Sequence, residues 1–195
     1  MPLGRRTPFQ PHVIYSLAAD GVGTTNGQLG GMVELGSEIA LPFITNRSVA
    51  QDLDAGTWPD IDESISMQIR EAAAAGTDIG LLLAPKGGTP SSEIDATWVE
   101  AEHTDGTTLT RLKSATYGPS LVLIAWAEAS GGNFNRTYEY FTMVVDRDGA
   151  VCQPRTALPA AQGFAAGDDL VNAPDGSIVW ANVDGGRIQV HRLLP

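Results

Sequence analysis

The sequence predicts an all-β fold of short strands, and three observations carry that prediction. First, 22 Gly and 12 Pro are spread along 195 residues and leave no long uninterrupted helical pattern, as expected of a chain broken by many turns. Second, the apolar runs "IALPFI" (39–44), "LLLA" (81–84) and "LVLIAW" (121–126) are short and bounded by turn residues, the pattern of strands buried on both faces. Third, the chain resembles itself at intervals of about 40 residues, a period that belongs to stacked supersecondary units.

The repeat has two elements. "GSEIALPF" (36–43), "GTDIGLLL" (76–83) and "GPSLVLIA" (118–125) share a Gly, two small or polar residues, an Ile or Leu and then an apolar run. "DGSIVWAN" (175–182) is a looser fourth copy. The second element is "WVEAEHTDGTTLTRL" (98–112), which aligns with "FTMVVDRDGAVCQPRTAL" (141–158) through Asp105-Gly106 and Asp148-Gly149. "RIQVHRLL" (187–194), following Asp184-Gly185-Gly186, has the same look, and "IAWAEA" (124–129) echoes "IVWANV" (178–183).

Taken in order, each unit reads as strand, turn, strand. Asp-Gly between alternating apolar residues is a hairpin signal, because Gly takes a positive φ at low cost. Ahead of Asp148-Gly149, Phe141, Met143 and Val145 alternate with period two. "SMQIREAAAAG" (66–76) carries an Ala run that favours helix, but Ile65, Met67 and Ile69 alternate and assign it to a strand. "PHVIYSL" (11–17) is a further candidate strand, able to pair with the C-terminal "IQVHRLL". Trp98, Trp126 and Trp180 fall inside strands and are expected to pack between sheets.

Units of about 40 residues with about four strands each resemble the blades of a β-propeller. The resemblance covers about residues 30–195 in pattern, without a repeated Trp-Asp signature. It implies a single all-β repeat domain over 1–195, either a small propeller or part of a larger one. The alternative is a two-sheet β-sandwich, which also uses many short strands.

Composition narrows the function. With 43% apolar and 18% charged residues the chain is expected to fold. A net charge of −11 argues against nucleic acid and anionic membrane, whose phosphates it would repel. No stretch approaches the length of a membrane-spanning helix, so no membrane insertion is expected. The opening "MPLGRRTPFQPHVIYSL" lacks the apolar core of a signal peptide, leaving either a cytoplasmic protein or a secreted one whose leader lies outside this sequence. The single Cys152 is expected to pack as a small hydrophobe.

"AQDLDAGTWPDIDES" (50–64) gathers five acids. Calcium takes six to eight hard oxygen ligands, and the Asp-x-Asp spacing of Asp52 and Asp54 lets alternate carboxylates converge from one bend. Asp60 and Glu63 stand at the ninth and twelfth positions of the same count. The stretch resembles the calcium loops of integrin α-subunit (FG-GAP) propellers, D-x-D-x-D-G-x-x-D, at Asp52, Asp54 and Asp60. It departs from them at Gly56, where the family has a carboxylate, and at Thr57, where it has Gly. The resemblance implies a calcium ion held by Asp52, Asp54, Asp60 and Glu63. A solvated acidic loop is the competing reading, and the ligand count leans towards it.

Other chemistry is sparser. His12, His103 and His191 have no short-spaced partners for zinc. Glu128 follows Trp126 near a strand end, a pairing suited to sugars, and a glycosidase would need a second acid such as Asp168 or Asp169. No phosphate loop, dinucleotide fingerprint or nucleophile elbow occurs. The expected function is therefore a noncatalytic module presenting loops to a protein or glycan partner. The alternative is a carbohydrate-acting hydrolase, and the two are separated by whether Trp126, Glu128 and the acids of 167–169 share one cleft.

Overall fold

The computed structural model describes residues 28–45, 78–86, 96–99, 107–131 and 135–195. Twelve strands are present among them: β1 (Gln28–Leu29), β2 (Val33–Leu35), β3 (Glu38–Thr45), β4 (Asp78–Pro85), β5 (Ala96–Val99), β6 (Thr108–Tyr117), β7 (Leu121–Ser130), β8 (Thr137–Val145), β9 (Val151–Leu158), β10 (Val171–Asn172), β11 (Ile178–Asp184) and β12 (Arg187–Leu193). The remaining regular element is one 3-10 turn, Ala160–Gln162. The described fold is all-β, as the turn-rich sequence predicts.

Every pairing is antiparallel, and the strands form three sheets in chain order. Sheet A runs β1-β3-β4-β5, with β2 also pairing β3; sheet B runs β6-β7-β8-β9; sheet C runs β10-β11-β12. None of them closes into a barrel. Glycine turns join neighbours where a positive φ is required. Gly36 leads into β3, Gly118 into β7 and Gly176 into β11, with φ of 60°, 63° and 82°. Gly185 and Gly186 both have positive φ in the two-residue link from β11 to β12, the geometry that matches strand twist.

The Asp148-Gly149 hairpin forms as expected between β8 and β9. Gly149 has φ 79°, and its amide donates to the Asp146 carbonyl at 3.2 Å. Asp146 Oδ1 accepts from the amides of Asp148 and Ala150, each at 2.9 Å, so one side chain satisfies two turn donors. Asp105-Gly106 lies outside the described residues. The described strands before and after it, β5 and β6, belong to different sheets.

The repeat copies are not all equivalent. Segments 36–43 and 76–83 supply β3 and β4, which pair with each other from Glu38↔Pro85 to Thr45↔Asp78. They are neighbours in one sheet and not counterparts in successive ones. Segments 36–43, 118–125 and 175–182 share one local feature. Each enters the second strand of its sheet from a glycine of positive φ. Trp126 and Trp180 sit on β7 and β11, each the second strand of its sheet. The expected strand at 66–76 and the segment 11–17 lie outside the described residues.

Sheet B is the middle layer, and its faces belong to two cores. Val122, Ile124, Trp126, Phe141, Met143 and Val145 meet Val33, Ala40, Ile44, Ile79, Leu81 and Val99 of sheet A. The alternate residues Leu123, Ala125 and Val144 meet Phe164, Leu170, Ile178 and Trp180 on the sheet C side. This explains why "LVLIAWA" is continuously apolar: both faces of β7 leave water. Full burial of each large side chain there contributes about 1.5–3 kcal/mol.

The sheets also touch along their first strands. Gln28 of β1 donates to Thr110 Oγ1 at 2.9 Å and accepts from the Leu112 amide at 3.4 Å. Ser114 of β6 donates to the Gly31 carbonyl at 2.5 Å, a close approach that suits a residue without Cβ. On the other side, Asn172 of β10 exchanges two bonds with the Thr116 backbone, at 2.7 and 3.0 Å.

Candidate functional site

The sequence pairs Trp126 with Glu128, and the strand geometry puts them on one face of β7. That face is the sheet A side, so Glu128 is buried, with 2% of its surface exposed. A buried carboxylate must be paired and hydrogen-bonded to be tolerated. Arg155 Nη2 of β9 lies 2.8 Å from Oε1, Trp126 Nε1 donates to Oε1 at 3.4 Å, and the Thr107 hydroxyl donates to Oε2 at 3.3 Å. The Arg155 guanidinium covers the Phe141 ring, 3.7 Å from its centroid. Phe141 in turn stacks on Trp126, with ring centroids 5.9 Å apart. The cluster staples the edge strand β9 to β7 across β8. Arg155 has no signal in sequence, because its approach to Glu128 is made through space from another strand.

The acids at 167–169 lie elsewhere. Asp168 and Asp169 are exposed, and Asp169 Oδ1 is 3.5 Å from Lys113 Nζ. Lys113 opposes Ala125 in the β6–β7 register, on the face of sheet B turned away from Trp126 and Glu128. Glu128 and Asp169 are therefore on opposite sides of one sheet. They form no shared cleft, and Glu128 has no open approach for a sugar.

What the structure builds around Asp168 and Asp169 is a clamped loop. Residues 159–170 run from β9 towards β10, and four side chains hold their carbonyls. Arg111 Nη1 donates to Phe164 O at 3.2 Å and Lys113 Nζ to Ala166 O at 2.8 Å, both from β6. Trp180 Nε1 donates to Gln162 O and Asn182 Nδ2 to Ala161 O, each at 2.9 Å, both from β11. Phe164 and Leu170 bury their side chains beneath the loop. Gly163 packs so closely on Tyr140 that a Cβ there would lie 2.4 Å from the ring. The tip, Ala166 to Asp169, stays exposed.

Arg111 shows how firmly this side is built. It falls in the β-bulge between Thr110 and Lys113 and has φ 53°, the left-handed region that a side chain enters at a cost of about 1–2 kcal/mol. Its compensation is a bond from Nη1 to the Tyr140 hydroxyl at 2.6 Å and a stack on Tyr138, 3.8 Å from the ring centroid. The bulge turns Arg111 and Lys113 towards the loop, a placement the plain β6 sequence does not announce.

Asp52, Asp54, Asp60 and Glu63, the expected calcium ligands, lie outside the described residues, as do His12 and His103. Among the described residues no group of three or more His, Cys, Asp and Glu could hold a metal ion. His191 is on sheet C, with Nε2 3.1 Å from Asn182 Oδ1 and its ring 5.4 Å from that of Trp180. Cys152 corrects the expectation of a packed thiol. It is exposed on edge strand β9, whose outer rows face water. No helix among the described residues is long and apolar enough to cross a membrane. The chain matches no protein-family model and no curated protein.

Proposed function

We propose that the chain is a noncatalytic binding module that presents preformed loops to a protein or glycan partner. The observation that carries this reading is the 159–170 loop, fixed by four side-chain bonds to its carbonyls while its acidic tip is left open. A loop already held in one conformation loses little entropy on binding, which is how a small contact gains affinity. The hydrolase alternative needs Glu128 and a second acid around one bond, and the sheet separates the candidates.

A propeller-like architecture fits the same reading. Its support is the succession of antiparallel meanders in chain order, their face-to-face packing, and the contacts among their first strands. A two-sheet sandwich accounts less well for sheet B having a core on each face. A calcium ion at Asp52, Asp54, Asp60 and Glu63 is part of the proposal, as a stabiliser of a second loop.

The test is binding to an immobilised panel of oligosaccharides and of Lys- and Arg-rich peptides. The native chain should retain a member of one class, and Asp168→Asn with Asp169→Asn should lose it. Binding to neither class, or release of product from aryl glycosides, would overturn the proposal.

A further inference from the structure

Arg111 stands apart from the other basic side chains. Lys86, Lys113, Arg147, Arg155 and Arg192 are each paired with a carboxylate. Arg111 has no such partner among the described residues, in a protein with 23 Asp and Glu against 12 Lys and Arg. Arg136 and Arg187 also lack one, but both are exposed, where water solvates a lone charge. Arg111 is half-buried, and its backbone is held in the left-handed region at φ 53°. Among the described residues other than glycine, it alone has a positive φ. Strain of this kind persists where the surroundings over-determine it, and it gathers at ligand sites.

Its guanidinium is anchored on one side and open on the other. Nη1 donates to the Tyr140 hydroxyl at 2.6 Å and to the Phe164 carbonyl at 3.2 Å. The planar group lies on the Tyr138 ring, 3.8 Å from its centroid. Nε and Nη2, which point the same way from that plane's edge, have no partner among the described residues. They are not buried either, since among those residues the buried nitrogen without a partner is Arg155 Nε. Two parallel N–H groups in a rigid fork are the shape that meets one oxyanion bidentately. The ring stack and the Nη1 bonds fix this fork before a ligand arrives, so little side-chain entropy is lost on binding.

We infer that Arg111 Nε and Nη2 receive the carboxylate of a sugar residue, so that this end of the molecule takes a glycan carrying an isolated acid. Such a ligand belongs to the glycan branch of the proposed function and rests on that reading. Charge sets its class. The protein carries −11, and Asp168 and Asp169 are exposed at the tip of the neighbouring loop, so a polyanion is repelled. Lys113, the other cation turned towards this loop, already donates to Ala166 O and pairs with Asp169. One carboxylate among neutral hydroxyls matches one open fork. The half-buried Tyr138 ring beside it offers apolar surface to the C–H groups of the same sugar.

The test is an NMR titration of the full chain, at constant pH and ionic strength, with methyl glucuronide, its neutral counterpart methyl glucoside, and sulfate. Methyl glucuronide should shift the Arg111 Nε–H and Tyr138 ring signals to saturation in the millimolar range. Methyl glucoside should leave them in place, and sulfate should act at least tenfold more weakly. Arg111→Gly accepts the positive φ without strain and should keep the fold while losing saturable binding. Arg111→Lys keeps the charge without the fork and should bind at least tenfold more weakly. Tyr138→Leu removes the stack without touching the bulge, which keeps the test decisive if the glycine variant fails to fold, and it should also weaken binding. Native signals that ignore glucuronide overturn the inference. If the same chain still retains a neutral oligosaccharide or a basic peptide, the binding-module proposal stands without it. An equal response to sulfate and glucuronide marks a general anion acceptor and overturns the sugar assignment, as does glucuronide binding that survives Arg111→Gly.

Discussion

Arg155 reaches over Phe141 to bring Nη2 within 2.8 Å of Glu128 Oε1, joining strands that are not hydrogen-bonded neighbours. With only 1% of the Glu128 side chain exposed, the carboxylate depends on these donors for the solvation that water would provide. Arg155→Met should therefore cost about 3 kcal/mol, because it takes a close cation away from a buried charge. Glu128→Gln combined with Arg155→Met should recover part of that loss. Denaturant midpoints of the single and double variants check this, and additive losses would show that the two residues are uncoupled.

Phe43 and Gly80 are directly opposed in the β3–β4 register, and the aromatic ring lies over the glycine. A Cβ at Gly80 would fall 2.2 Å from Cζ of that ring. Trp98, the partner of Gly80 on β5, holds Phe43 from the other side at a centroid distance of 5.6 Å. Gly80→Ala should destabilise by about 1–3 kcal/mol through overpacking. Phe43→Leu should make the same alanine easier to accept, which urea unfolding of the two single variants and their combination would reveal.

Gly149 has two reasons to remain glycine. Its φ is 79°, and an added Cβ would lie 2.7 Å from Thr97 Cγ2 of sheet A. Gly149→Val should cost at least about 1 kcal/mol from backbone strain alone. An unchanged thermal midpoint would contradict this account of the hairpin.

Calcium binding at Asp52, Asp54, Asp60 and Glu63 predicts a rise in melting temperature with added calcium, since a ligand that binds only the native state stabilises it by mass action. Asp54→Ala should abolish the rise while leaving the calcium-free melting temperature essentially unchanged. A native chain whose melting temperature ignores millimolar calcium has a solvated acidic loop there.

The sequence by itself determined the class of the fold, since strand periodicity and turn chemistry are local properties. The glycines at 36, 118, 149, 185 and 186 mark turns because each has a positive φ. The run 121–127 announced a strand buried on both faces because each side chain along it had to be apolar. The repeat was legible as a recurring pattern, but not in its pairing. A short apolar run after a glycine records an interior strand without recording its rank in a sheet. Only the tertiary structure decided that 36–43 pairs with 76–83, and that 118–125 and 175–182 lie in two other sheets.

The candidate site divides in the same way. Glu128 was visible as a carboxylate beside a tryptophan, but its burial depends on which face of β7 meets sheet A, and its neutralisation depends on an arginine two strands away. Asp168 and Asp169 were visible as a pair of acids. Their rigid presentation comes from Arg111, Lys113, Trp180 and Asn182, supplied by strands of two different sheets. The outer face of sheet C was written in the alternation of 187–194, where Ile188 and Val190 resemble any buried strand residues. Period-two patterning shows that two faces differ, and only the packing of sheets shows which of them meets water.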